Sequence, residues 1–79
     1  MSTKFYLLCV LIEDNNSVSD NHKLYRNEEK ARNAFTRKIK SCHEKYDSGE
    51  VLIDLKNCYE FRNPGGYGFI VSIEEMKPI

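Results

Sequence analysis

The chain lacks a net charge, a long hydrophobic run and a recognisable targeting segment. Twelve Lys and Arg residues balance twelve Asp and Glu residues. The whole molecule therefore has no long-range positive field of the kind that draws proteins to nucleic acids or anionic lipids, and such binding would need a local patch. The apolar run at 5–12 is far below the roughly 20 residues that span a bilayer, and it is a poor signal peptide. We expect a cytoplasmic protein with no membrane partner.

The chain also lacks the cysteine spacing of a disulfide scaffold or a zinc site. Its three cysteines, Cys9, Cys42 and Cys58, contain no C-x-x-C pair, and an odd number in a small chain argues against a disulfide framework. We predict buried thiols in a reducing compartment. Structural zinc sites usually show closely spaced ligand pairs, so we expect no metal site and no cofactor.

No set of residues has the pattern of a catalytic site. Cys42, His43 and Glu44 are nucleophile, base and acid types in a row, but consecutive helical side chains diverge by about 100° and cannot form a triad. The glycines at 65, 66 and 68 precede a strand, whereas a dinucleotide fingerprint lies between a strand and a helix. We predict no catalytic residues and a protein that is not an enzyme.

The N-terminal third predicts strands and a polar loop. A chain of 79 residues forms one domain, covering 1–79. The continuous apolar run at 5–12 is typical of a strand in the middle of a sheet or covered on both faces. The polar segment from Glu13 to His22 predicts a mobile loop, and Lys23 to Arg26 leaves room for one short edge strand. Such an edge makes a symmetric homodimer reasonable.

The clearest helix follows Asn27, a suitable N-cap with two glutamates after it. Apolar residues then recur at three- and four-residue intervals and predict an amphipathic helix of about 20 residues. Gly49 is available for the left-handed conformation that ends many helices. Half of the basic residues lie on the other faces of this helix, where they are explained by solvent exposure or by an acidic or phosphate-bearing partner.

The last third predicts a β-hairpin. Odd-numbered positions are apolar from Val51 to Phe61, with a possible break at 56–57, and again after the turn. Pro64 and Gly65 are suited to the turn itself. The expected fold class is α+β, with an antiparallel sheet of three or four strands and one amphipathic helix packed on one face, in the order β-(β)-α-β-β.

Gly66-Tyr67-Gly68-Phe69-Ile70 resembles the core of the first ribonucleoprotein motif of RNA-recognition domains. In that family two aromatic side chains face outward and stack on bases. The resemblance implies single-stranded nucleic-acid or nucleotide binding through Tyr67 and Phe69, with Arg62 nearby. The period-two pattern implies the opposite, with both aromatic rings under the helix.

A second resemblance covers most of the chain at the level of pattern. The segment Leu24-Tyr25-Arg26-Asn27-Glu28-Glu29-Lys30-Ala31, followed by an aromatic hairpin ending in Val71-Ser72-Ile73-Glu74-Glu75, looks like many small phage-encoded accessory proteins. Such proteins often bind and inhibit a host or defence factor. The resemblance therefore implies a viral or mobile-element protein whose partner is a host or defence protein.

These observations together favour a non-enzymatic protein-interaction module, with nucleic-acid binding as the alternative. The dense basic face of the helix beside a polar loop is the expected contact surface. Interfaces concentrate their energy in aromatic and arginine side chains, so Tyr25 and Arg37 rank first. The predicted partner-binding residues are Tyr25, Lys30, Arg37, Lys38 and Lys40.

Overall fold

The computed structural model describes residues 4–14 and 17–77, which form five strands and one helix. In chain order these are β1 (Phe5–Asp14), β2 (Ser17–Tyr25), α1 (Glu28–Lys45), β3 (Glu50–Leu55), β4 (Cys58–Arg62) and β5 (Gly68–Met76). The strands form one antiparallel sheet in the spatial order β2-β1-β5-β4-β3. The predicted α+β class is confirmed, and the predicted count of three or four strands is too low.

Most of β2 lies in the segment predicted to be a mobile loop. From Ser17 onward this segment is β2, and it pairs with β1 along its whole length. Positions 15 and 16 of the predicted loop lie outside the described residues. Almost every side chain of β2 is exposed, because the strand lies at the edge of the sheet. An edge strand is held by backbone hydrogen bonds to its neighbour, so it need not show the apolar alternation that strand prediction relies on.

The additional strand results from a tight turn at 56–57, which divides the strand predicted from Val51 to Phe61 into two. The predicted break there is a complete reversal, which separates β3 from β4 and pairs Leu55 with Cys58. The Arg32 side chain of α1 donates hydrogen bonds to the Lys56 carbonyl and to the Asn57 side-chain oxygen. The helix therefore holds this turn in place.

The helix begins where the sequence predicts. Asn27 is the N-cap, and its Oδ1 accepts a hydrogen bond of 3.1 Å from the Lys30 backbone N–H. The helix ends at Lys45 after 18 residues, and Tyr46 caps it in an extended conformation. Gly49 does not end the helix as predicted. It lies immediately before β3, where a Cβ would overlap the Arg62 carbonyl.

The predicted hairpin turn is confirmed between β4 and β5. The Gly66 N–H donates to the Asn63 carbonyl at 3.0 Å and closes the turn around Pro64 and Gly65. The positive φ of 102° falls on Gly66. A type I turn followed by a left-handed glycine is a common way to connect two antiparallel strands.

The core lies between α1 and one face of the sheet. The strand β1 lies between β2 and β5, so its predicted place inside the sheet is confirmed. Phe69 and Val71 of β5 are the largest fully buried side chains. Cys42 is buried, but Cys9 and Cys58 are only half-buried, so the prediction of buried thiols is correct for one cysteine of three. The core side chains are Leu8, Val10, Ala31, Phe35, Cys42, Tyr46, Phe61, Phe69, Val71 and Ile73.

Candidate functional site

A groove of about 770 Å³ lies between α1 and the edge strand β2. It exists because α1 packs mainly against β5 and β1, which leaves the helix-facing side of β2 largely uncovered. The buried side chains of Leu8 and Val10 lie at its base. We call it the basic groove, and its other lining residues are Asn21, His22, Lys23 and Tyr25 of β2 and Lys30, Ala34, Arg37, Lys38 and Ser41 of α1.

Two regular periodicities bring these residues together. On α1 the lining positions Lys30, Ala34, Lys38 and Ser41 are spaced by three or four residues, with Arg37 beside Lys38, so they form a stripe along one side of the helix, next to its buried stripe. On β2, alternate residues face the helix, and Lys23 is the cross-strand partner of the buried Leu8. The basic groove is thus formed by one side of a helix and by the edge strand β2, mainly through its helix-facing residues Asn21, Lys23 and Tyr25.

The electrostatics of the basic groove are one-sided. Four of its lining side chains are cationic, namely Lys23, Lys30, Arg37 and Lys38, and none of its described lining residues is acidic. Within the part of the chain that the structure describes, no salt bridge involves any of the four. Four cations around an apolar base favour a ligand that is anionic and partly apolar.

The aromatic side chain of the basic groove is half-buried. Tyr25 packs against the edge of the core, and the Lys23 ammonium lies 5.4 Å from its ring centroid. A tyrosine with one packed side and one accessible side keeps little conformational freedom, so it loses little entropy on binding. This is the environment expected of an interface aromatic residue.

The structure brings together four of the five predicted partner-binding residues. Tyr25, Lys30, Arg37 and Lys38 line the basic groove, whereas the exposed Lys40 of α1 lies outside its lining. Lys23 and Asn21 also line the groove but were not predicted, because the sequence places them in a short strand and a polar loop. Their alternation with Tyr25 would have identified them once β2 was recognised as a strand.

The three residues of the nucleic-acid alternative do not form one surface. Phe69 is 0% exposed, so the buried position implied by the period-two pattern is confirmed and the outward-facing position implied by the resemblance is wrong. Tyr67 is half-buried, with its ring centroid 5.4 Å from that of Tyr46. Arg62 is paired with Gly68 and therefore projects from the other face of the sheet. The three side chains are separated because α1 covers the odd-numbered side chains of β5, including Phe69, whereas Arg62 lies on the opposite face.

Arg62 is already engaged by two carboxylates. Its guanidinium donates to Glu13 at 3.0 Å and to Glu60 at 2.7 Å. These hydrogen bonds and charges raise the pKa of Arg62, and Arg62 in turn lowers the pKa of Glu13. A phosphate group would have to compete with both carboxylates for this side chain.

The side chains of the Cys42-His43-Glu44 run diverge, as helical geometry requires. Cys42 is buried, and burial raises the pKa of its thiol. His43 Nε2 lies 2.6 Å from the Tyr59 hydroxyl, on the side of the helix that faces β4. Among the described residues, no group of three or more His, Cys, Asp or Glu side chains is placed to hold a metal ion.

Comparison with protein families, curated proteins and solved structures gives no match to this chain. No helix formed by the described residues is long and apolar enough to cross a membrane. The site is therefore interpreted from its own geometry and charge.

Proposed function

We propose that this protein is a non-enzymatic interaction module that binds an acidic, partly apolar segment of a partner protein in the basic groove. The observation that carries the proposal is the convergence of Lys23, Lys30, Arg37 and Lys38 around the apolar base of one groove. In a chain with no net charge, such a local concentration of positive charge favours one side of the molecule for an acidic partner.

The edge strand β2 supports the same proposal in a second way. Among residues 4–14 and 17–77 it is the terminal strand of the sheet, so none of these residues pairs with its outer backbone edge. An extended partner segment can add to such an edge through main-chain hydrogen bonds, while its side chains enter an adjacent groove. The same edge is the proposed contact for a homodimer, so a partner segment bound there would exclude the β2 strand of a second copy.

For the class of partner we propose a host or defence protein that this chain inhibits or modulates in the host cytoplasm, as a small viral or mobile-element protein. This part of the proposal rests on the pattern-level resemblance to phage accessory proteins. It is tested by affinity capture of the tagged chain from host lysate with and without nuclease, followed by identification of the proteins that remain bound.

The role of the basic groove is tested by charge reversal with a labelled Glu-rich peptide that contains one aromatic residue. We expect the double variant Arg37→Glu, Lys38→Glu to weaken binding by about tenfold, or roughly 1.4 kcal/mol, because two attractive contacts become repulsive. The double variant Lys40→Glu, Lys45→Glu makes the same charge change on the same helix outside the groove lining, and we expect less than about a threefold effect. Fluorescence polarisation at low and physiological salt measures both.

Two results would contradict the proposal. An equal loss of affinity in the Lys40→Glu, Lys45→Glu double variant would mean that the peptide responds only to net charge. Absence of binding to the unmodified chain would mean that the basic groove does not accept acidic segments. A single-stranded oligonucleotide in the same assay tests the alternative function, because tighter binding of the oligonucleotide than of the peptide would favour nucleic acid as the partner.

A further inference from the structure

The side of the sheet away from α1, here called the open face, carries a row of polar side chains. Cys9 of β1 is the cross-strand partner of His22 of β2 and also of Ser72 of β5. Ser72 is in turn the partner of Cys58 of β4. Directly paired residues of antiparallel strands project to the same face, so these four side chains cross the open face in one line.

Within this row, Cys9 has the partners that nucleophilic chemistry needs. Cys9 Sγ lies 3.2 Å from His22 Nδ1, and His22 Nε2 lies 2.9 Å from Asp20 Oδ1. The side chains of His22 and Asp20 are 51% and 58% exposed, and Cys9 is half-buried. A nucleophile within reach of a base, with the base oriented by a third group, is the structural signature of an activated nucleophile.

The charges around the thiol determine where its proton lies. Burial is the main cause that raises the pKa of Cys9, the carboxylates of Asp20 and Glu74 raise it further, and the hydrogen bond with Ser72 opposes them. The groups that face the thiol are therefore His22 and Asp20 from β2 and Ser72 and Glu74 from β5. A raised pKa favours the protonated thiol, and the tautomer of His22 that carries its proton on Nε2 lets the S–H donate to Nδ1 while the Nε2–H donates to Asp20.

We propose that Cys9 is a site of covalent modification by thiol–disulfide exchange, with His22 as its base and Asp20 as the residue that orients His22. The Cys9 sulfur attacks one sulfur of a disulfide while His22 Nδ1 takes the thiol proton. A new S–S bond forms to Cys9, and the S–S bond of the reagent breaks. The departing thiolate then takes the proton from the imidazolium of His22, so one disulfide and one thiol are exchanged for another pair.

The surrounding charges also select the class of disulfide. Asp20 pairs with Leu11 and Glu74 pairs with Leu7, the positions two residues to either side of Cys9, and their negative charge attracts cationic substituents and repels anionic ones. The site therefore prefers a disulfide that carries amino groups. Cystamine is a suitable probe of this class, and oxidised glutathione, which carries net negative charge, is its counterpart.

Cys58 provides an internal control on the same face. It is also half-buried and free, and its cross-strand partner Ser72 is the same residue that Cys9 faces. The experiment treats the folded chain with cystamine at pH 7 and follows the mixed disulfide at each cysteine by mass spectrometry of proteolytic fragments. We expect Cys9 to react at least about tenfold faster than Cys58. This rate ratio is smaller than the usual contribution of a general base in a closed active site, because Cys9 is only half-buried and His22 is exposed to solvent.

Variants separate the role of His22 from simple exposure of the thiol. We expect His22→Gln to reduce the rate at Cys9 to within about threefold of that at Cys58, and Asp20→Asn to reduce the preference for cystamine over oxidised glutathione. A raised pKa alone would slow the exchange reaction at Cys9, because less of the thiol is ionised. A rate at Cys9 above that at Cys58 would therefore be due to proton transfer to His22. Labelling of the buried Cys42 would report unfolding of a variant. If His22→Gln unfolds, folded Asp20→Asn replaces it and should also slow the reaction of Cys9 with cystamine, because His22 loses the group that orients it.

The proposal fails if Cys9 reacts no faster than Cys58 or if neither cysteine forms an adduct. It also fails if folded His22→Gln leaves the rate at Cys9 unchanged. These outcomes do not depend on peptide binding in the basic groove, because Cys9 lies on the face opposite to Leu8 and Val10 at the base of the groove, and His22, which borders both, is not one of the four cations.

Discussion

Replacing Phe69 with alanine is the most direct test of the core. The Phe69 side chain is 0% exposed and lies in the middle strand of the sheet. Its ring centroid is 5.5 Å from that of Phe61 and 5.2 Å from the ring of His43. Removing a buried phenylalanine typically costs about 3 to 5 kcal/mol, because the transfer free energy of the ring is lost and a cavity remains. A domain of this length has a free energy of unfolding of roughly 4 to 12 kcal/mol, so the loss is a large fraction of the total.

Urea denaturation followed by circular dichroism measures this loss. Leu55→Ala is the control, because the Leu55 side chain is 67% exposed and its truncation should change the free energy of unfolding by less than about 0.5 kcal/mol. If Phe69→Ala unfolded within about 1 kcal/mol of the unmodified chain, with an unchanged dependence on urea, the buried placement of this ring would be refuted. That result would favour the exposed, base-stacking position instead.

Two further predictions concern the helix cap and a surface ion pair. Asn27→Ala should lower the free energy of unfolding by about 1 kcal/mol through loss of the N-cap hydrogen bond, and the exposed Asn33→Ala in the same helix should change it by less than about 0.5 kcal/mol in the same urea assay. The Arg62 guanidinium holds the pKa of Glu13 below its usual value of 4.5. This contribution to stability is present above the usual carboxyl pKa and is lost as pH falls through the lowered one. Arg62→Gln should therefore show a smaller decrease in urea midpoint between pH 6 and pH 3, and an equal decrease in both proteins would contradict the assignment.

The sequence predicted the elements whose side chains reach the core. The apolar stripe of α1 and its Asn27 cap predicted the helix almost to its ends, and the alternation on either side of Pro64 predicted the hairpin. In both cases burial requires a periodic apolar pattern, so the sequence alone indicates the element.

The strands at the edge of the sheet were harder to predict for the same physical reason. Nearly every side chain of β2 is exposed, and its pairing depends on backbone groups that every residue type carries. The prediction of the candidate site was incomplete for this reason. The helix side of the basic groove could be predicted from Lys30, Arg37 and Lys38, but its other side required β2. The contact between Cys9 and His22 also required the register of β1 and β2.

The pairing between β1 and β5 has a consequence for how the chain folds. The other neighbouring pairs, β1–β2, β3–β4 and β4–β5, join strands that follow each other in sequence, and each of these pairs can form locally. Only β1 and β5 come from distant parts of the chain, so their pairing closes a long loop and carries its entropy cost. We expect two locally formed units to meet at this junction in the rate-limiting step. Substitutions at Leu8 or Val71 should then slow folding, whereas those in the edge strands should mainly accelerate unfolding.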